Sequence, residues 1–321
     1  MSDICDAGVR QNPARGAAFR WARRIALGWL AWRVLGPELQ PRVSGIQRRP
    51  MAVPGRTVLV GERELFVREM GPPDAPPVVL IHGMGFDGEM TYHRLAPLLA
   101  DRYRVVIPDH RTFGKSDWPR GRYEISDLAD DLAGVLDAID IEAATVFGYS
   151  LGGMVAQELA HRHPRHVARL VLAGTAAVPI PRFRVLARVV FWLSRGVMRL
   201  SRVGFARATT RVMQRSGAIA PEHLRWLRGS LLRRDPTLYY EAGHAAWRFD
   251  SRPWVNKVRV PTMVIIPTRD QVVFPAAQHD LAARLDGPIV VELAGARHES
   301  IINRSEEYAA AVFRFVGSAE E

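Results

Sequence analysis

The sequence predicts an α/β fold: a mainly parallel, doubly wound sheet with a helical cap insertion and an amphipathic helix at its N-terminus. Three observations predict it. The continuous apolar run at 78–81 and the mainly apolar stretches at 144–147, 169–173 and 262–266 read as buried strands, unlike the alternating pattern of one-sided strands. Helix-compatible segments separate these runs, and strands alternating with helices wind a sheet on both sides. The alternation stops between residues 175 and 253 and then resumes, which marks an inserted helical segment.

With 321 residues, 48% of them hydrophobic and 24% charged, the chain can bury a full core and is too apolar to remain disordered. A formal net charge of +11 favours an anionic contact. Cys5 is the only cysteine, so no intrachain disulfide can form. No zinc-ligand spacing, P-loop or dinucleotide-binding glycine pattern occurs, and neither a metal nor a cofactor is expected.

Residues 1–54 form a tail, a basic helix and a linker. On a helical wheel Trp21, Ile25, Trp29 and Trp32 share one face, and Arg20, Arg23 and Arg24 another. The uncharged run Ile25–Trp32 is far shorter than the ~20 residues that span a bilayer. Its two faces suit an anionic membrane surface, with Trp21, Trp29 and Trp32 at headgroup depth. Packing on the body or on a second subunit is the other reading. The expected location is cytoplasmic with peripheral membrane contact.

Residues 55–174 and 254–321 form the sheet domain. Thr57–Val60 and Glu64–Arg68 alternate around Gly61-Glu62, as in an antiparallel hairpin. A turn cluster at Gly71–Pro77 leads into the buried strand Val78–Ile81. A helix is expected over Glu89–Ala100, a strand over Arg104–Pro108, and a helix over Ile125–Ile139 capped by Ser126. The strand Ala144–Phe147, a helix over Met154–His161 and the strand Arg169–Ala173 follow. Beyond the cap, 175–253, come the strand Thr262–Ile266, a helix near Ala276–Arg284, the strand Pro288–Leu293 and a helix over Ser305–Val316.

The chemistry concentrates at Gly148-Tyr149-Ser150-Leu151-Gly152, between a strand and a helix. The glycines permit a sharp turn that lifts the serine hydroxyl above the sheet, at a helix start able to receive negative charge. The stretch resembles the nucleophile elbow of the α/β-hydrolase family. A serine hydroxyl needs a base, and the base an orienting acid. Asp270 and His298 each follow a strand, at the carboxyl ends where parallel sheets place their sites. Ser150, Asp270 and His298 also follow the family's chain order.

The resemblance extends over residues 56–317. It is carried further by His82-Gly83-Met84-Gly85 and by Asp109–Asp117, which is similar to the family's Asp-x-Arg-Gly-x-Gly-x-Ser loop with Thr112 where glycine is usual. It implies a cofactor-independent serine hydrolase whose oxyanion hole is made by the backbone N–H groups of Met84 and Leu151. His82 then stiffens the loop and is not a second base. Serine at 150, where related epoxide hydrolases and haloalkane dehalogenases use aspartate, implies acyl transfer to water. The expected reaction is esterase- or lipase-like cleavage of carboxylic esters of apolar acyl groups. Perhydrolase or carbon–carbon bond hydrolase chemistry fits the same triad, and a non-catalytic ligand receptor or membrane-associated scaffold is the competing class.

Within the cap, Arg184, Arg188, Arg195, Arg199 and Arg202 fall within about 60° on one helical wheel, opposite Leu186, Val190, Leu193, Val197 and Leu200. A solvated face over a packed face explains this. Contact of the arginines with anionic lipid, with the apolar face lining an acyl pocket, is the functional reading. Aromatic residues lie within apolar faces and no nucleic-acid module is visible, so nucleic acid is not expected as a partner.

Overall fold

A computed structural model describes residues 51, 53–178, 200–233 and 235–317, together with positions 28, 29, 189 and 193. Apart from Gly28 and Trp29, the helix expected over 16–36 lies outside the described residues. So do Arg184, Arg188, Arg195 and Arg199 of the expected cap stripe.

Eight strands make one sheet: β1 (Gly55–Val60), β2 (Arg63–Met70), β3 (Pro77–Ile81), β4 (Arg104–Pro108), β5 (Ala144–Tyr149), β6 (Val167–Ala173), β7 (Thr262–Pro267) and β8 (Ile289–Leu293). Their order is β1-β2-β4-β3-β5-β6-β7-β8. The hairpin forms as expected, with Val60 opposite Arg63, and β2 runs antiparallel to β4. All remaining pairs are parallel. Side chains alternate across the pleat, so successive residues of one strand enter different cores. Val79, Ile81, Val106 and Val146 face one cluster, and Val78, Leu80, Val105 and Phe147 the other.

Helices α1 (Gly88–Tyr92), α2 (Leu95–Ala100), α3 (Ile125–Ala138) and α4 (Leu151–Arg162) precede the cap. The cap contains α5 (Arg202–Arg215), α6 (Leu224–Arg233) and α7 (Pro236–Arg248), and α8 (Pro275–Arg284), α9 (Ser300–Asn303) and α10 (Ser305–Gly317) follow it. Leu128, Leu132 and Leu136 of α3 and Val155 and Leu159 of α4 bury into the first cluster. Leu95 and Leu99 of α2 and Tyr308 and Val312 of α10 bury into the second.

Two local expectations change. The helix over 89–100 breaks at His93-Arg94, because Pro97 has no N–H to donate to the His93 carbonyl and its ring crowds that carbonyl, whereas the first turn of the new helix α2 accommodates it. The cap of α3 is Glu124, not Ser126. Glu124 and Asp127 form a reciprocal capping box, leaving Ser126 inside the first turn.

The cap divides its buried surface between both cores. Ala242, Ala245 and Ala246 of α7 join the first cluster, and Ala206, Met213, Trp226 and Leu227 of α5 and α6 the second. The chain leaves the sheet domain and returns to it at adjacent points. Ser251 N–H donates to the Ala177 carbonyl at 3.0 Å, and Ser251 Oγ donates to Gln157 Oε1 at 2.7 Å. Arg248 Nε also reaches Glu124 Oε1 at 2.7 Å, joining α7 to the start of α3.

Candidate active site

Ser150 sits between β5 and α4 with φ 54° and ψ −118°. That left-handed backbone costs a non-glycine residue about 1–3 kcal/mol and persists where the surroundings over-determine it. The surroundings here are tight. A Cβ at Gly148 would lie 2.4 Å from the Gly152 carbonyl oxygen, and one at Gly152 would lie 2.1 Å from that of Ile81. Both glycines are therefore demanded by close backbone approach.

Three side chains converge on the turn. Ser150 Oγ lies 3.1 Å from His298 Nε2, and His298 Nδ1 lies 2.7 Å from Asp270 Oδ2. The carboxylate on the Nδ1 side fixes the tautomer: Nδ1–H donates to Asp270, and Nε2 is left to accept the serine proton. This is the hydrogen-bonded array of a serine hydrolase. Asp270 is buried, and its other oxygen accepts from the backbone N–H groups of Val272 and Val273 at 2.8 and 2.9 Å. Gln278 Nε2 adds a donor to Oδ2 at 3.2 Å and anchors itself on the Val273 carbonyl.

Sequence reasoning missed Tyr149 and Gln278. The Tyr149 hydroxyl donates to the His298 carbonyl at 2.8 Å, and the two rings lie 5.1 Å apart. A Cβ at Gly83 would come within 3.0 Å of the Tyr149 ring and 3.1 Å of Ser150 Cβ, so the His82–Gly85 loop lies directly against the elbow. Burial pushes the Tyr149 hydroxyl well above its ordinary pKa and keeps it a neutral donor. An aromatic residue beside the serine was the available signal. Gln278 gave none, because its partners lie on a separate turn.

Met84 follows Gly83 and packs partly buried on the first core cluster, and Leu151 opens α4 and is buried. His82 is fully buried and joined to His110 by two hydrogen bonds. The His110 backbone N–H donates to His82 Nε2 at 3.1 Å, and His110 Nε2 donates to the His82 carbonyl at 3.2 Å. With His82 Nδ1 donating to the Gly83 carbonyl at 2.9 Å, the ring is occupied on both nitrogens. Burial, followed by the neighbouring His82, holds the His110 pKa well below its ordinary value.

The Asp109–Asp117 loop supports this pair from below. Asp109 accepts from Arg68 Nη1 at 2.9 Å and from the backbone N–H groups of Gly88 and Lys115. Thr112 takes φ 67°, the conformation that glycine adopts freely, and its hydroxyl meets the Tyr123 hydroxyl at 3.0 Å. The substitution thus keeps the turn. Among the described residues no group of three potential metal ligands occurs, and no helix is long and apolar enough to cross a membrane.

Comparison with known proteins places these features. A family model described as alpha/beta hydrolase fold matches residues 76–215. The enol-lactonase of Burkholderia xenovorans LB400 is 30% identical, with a TM-score of 0.70, over 82% of this chain and 100% of that one. The 2-hydroxymuconate semialdehyde hydrolase of Pseudomonas sp. strain CF600 is 42% identical over 108 residues, 33% of this chain and 38% of the relative. Against the mycobacterial relatives it matches at 39% identity over 103 residues, the chain spans 30% of their length.

Proposed function

The chain belongs to the α/β-hydrolase fold family, and on that premise we propose that it hydrolyses a small carbonyl compound through an acyl-enzyme on Ser150, breaking a carbon–carbon bond. Ser150 Oγ attacks the carbonyl while His298 Nε2 takes its proton, and Asp270 holds His298 in the required tautomer. Met84 and Leu151 N–H groups receive the charge on the carbonyl oxygen. The packing of the Gly83 backbone against Ser150 supports that assignment, as does the place of Leu151 at the start of α4. His298 then delivers its proton to the leaving carbon, and water releases the acyl group by the same path.

The observation that carries the choice of bond is the 42% identity to a 2-hydroxymuconate semialdehyde hydrolase. That compound contains no ester or amide, so hydrolysis must part carbon from carbon. Such a carbon leaves only where its electron pair spreads over neighbouring double bonds and oxygen. The enol-lactonase likeness, which spans far more of this chain, favours a second reading in which the bond is that of a cyclic ester. Esters of simple apolar acyl groups, the lipase-like expectation, rank behind both. Peripheral contact with anionic lipid belongs to the same proposal, supported by the net charge of +11 and by Trp29, which is exposed.

The test compares turnover of 2-hydroxymuconate semialdehyde, an enol-lactone and p-nitrophenyl esters, together with fluorophosphonate labelling. The expected outcome is labelling at Ser150 and a kcat/KM for the semialdehyde above that for the esters. Ser150→Ala should abolish both labelling and turnover. Turnover of the lactone alone would select the second reading, and absence of labelling in folded protein would favour a receptor.

A further inference from the structure

Many arginines of the sheet domain are tied to acids. Arg104 pairs with Glu69, Arg111 with Asp131, Arg165 with Asp137 and Arg259 with Asp286. The cap helices α5 and α6 are built differently. Between residues 200 and 233 there are seven arginines and one acid, Glu222. On α5, Arg207, Arg211 and Arg215 are all exposed and fall within about 80° of one another at 3.6 residues per turn. On α6, which packs on α5, Arg225 and Arg228 are exposed one turn apart. None of these five guanidinium groups has a partner among the described residues.

Folding accounts for the opposite side of α5, where Ala206, Thr210 and Met213 are buried. It does not account for the exposed side. Like charges spaced four residues apart on a helix repel one another, and nothing described on the molecule offsets that. The stripe is bordered by Val203 on one side and Val212 on the other, exposed to 37% and 63%. Val189 and Leu193, elsewhere in the cap, are also exposed. Guanidinium groups beside aliphatic side chains match a bilayer surface, where cations meet headgroup phosphates and apolar groups enter the acyl boundary. A single-stranded nucleic acid calls for aromatic platforms between the cations, and the exposed arc of α5 has none.

We propose that the cap docks on an anionic phospholipid surface through the exposed arginine stripe of α5. The face is fixed relative to the triad: Asn303 Nδ2 donates to the Ser216 carbonyl at 3.0 Å, joining the end of α5 to α9, which begins two residues beyond His298. Docking there sets the distance between the bilayer and Ser150. The surface acts independently of which bond the site cleaves, since none of its residues belongs to the triad or the oxyanion loop.

The experiment is co-sedimentation of the full chain with phosphatidylcholine vesicles, with and without phosphatidylglycerol, at low and high salt. Binding is expected to the mixed vesicles at low salt, with release at high salt. Combined Arg207→Gln, Arg211→Gln and Arg215→Gln should weaken it about 100-fold, at roughly five-fold for each arginine. Val212→Ser should weaken binding a few-fold at every salt concentration. A control with the same change in net charge, Arg56→Gln, Arg165→Gln and Arg259→Gln, should bind within about two-fold of the parent. Ser150→Ala should bind unchanged, which separates failure of docking from failure of the catalytic assignment. Fluorophosphonate labelling at the parent rate verifies that each arginine variant is folded. The proposal is overturned if the full chain ignores the mixed vesicles, if the α5 variant binds like the parent, or if the control loses as much. Tighter binding to single-stranded DNA than to the vesicles would equally overturn it.

Discussion

Asp270 is held by four donors: two backbone N–H groups on one oxygen, and His298 with Gln278 on the other. An amide at this position must turn its NH2 either toward backbone donors or toward Nδ1, where it forces the wrong tautomer of His298. Asp270→Asn should therefore lower kcat by about 10²–10⁴-fold with the fold retained, as steady-state kinetics and circular dichroism would register. The segment after β6, Gly174-Thr175-Ala176-Ala177, offers no substitute carboxylate. A near-normal rate would remove Asp270 from the mechanism. Tyr149 acts one step further out, through the carbonyl of His298. Tyr149→Phe keeps the ring and deletes one hydrogen bond. It should lower kcat and the fluorophosphonate labelling rate by about 2- to 10-fold at unchanged KM, the range a single hydrogen bond supports. A change confined to melting temperature would show that Tyr149 serves packing alone.

At the level of elements, Glu124 performs two tasks. It caps α3 and accepts Arg248 from the end of α7. Glu124→Ala should lower the unfolding free energy by about 1–2 kcal/mol in chemical denaturation, most of it from the cap, because an exposed ion pair adds little. This residue also shows where sequence reasoning stops. Strands β5 and β7 are buried throughout, and β3 in all but its first residue, so their apolar runs revealed them directly. The triad was legible for a similar reason, since each member follows a strand and its chain order is fixed by topology. Glu124 was not, because the usual short-chain caps drew attention to Ser126, and the reciprocal bond with Asp127 that decides the matter is not visible in composition. The break at His93-Arg94 does have a signal in the sequence, Pro97, whose ring and missing N–H end a helix four residues back. Gln278 reaches Asp270 from the following helix, and only folding brings them together.

For the whole molecule, buried histidines link stability to pH. Burial lowers the His93 pKa from its ordinary value to about 4, with Arg94 and His223 adding repulsion against the backbone bond to Met90. Between pH 6.5 and 4 the unfolded chain binds a proton there that the folded chain refuses, so stability falls as pH drops through that window. The loss from His93 approaches about 3 kcal/mol by pH 4. His110 contributes in the same direction. Denaturation midpoints measured from pH 7 to pH 5 should fall steadily, and His93→Gln should flatten the slope. An unchanged slope in that variant would place the linkage elsewhere. The staple between Ala177 and Ser251 reaches further than stability. Because the two ends of the cap already touch, the intervening segment is a cassette whose stem closes on itself. Its contents can be exchanged without re-threading the sheet, so a lineage could replace the helices between Ala177 and Ser251 while inheriting the catalytic frame intact.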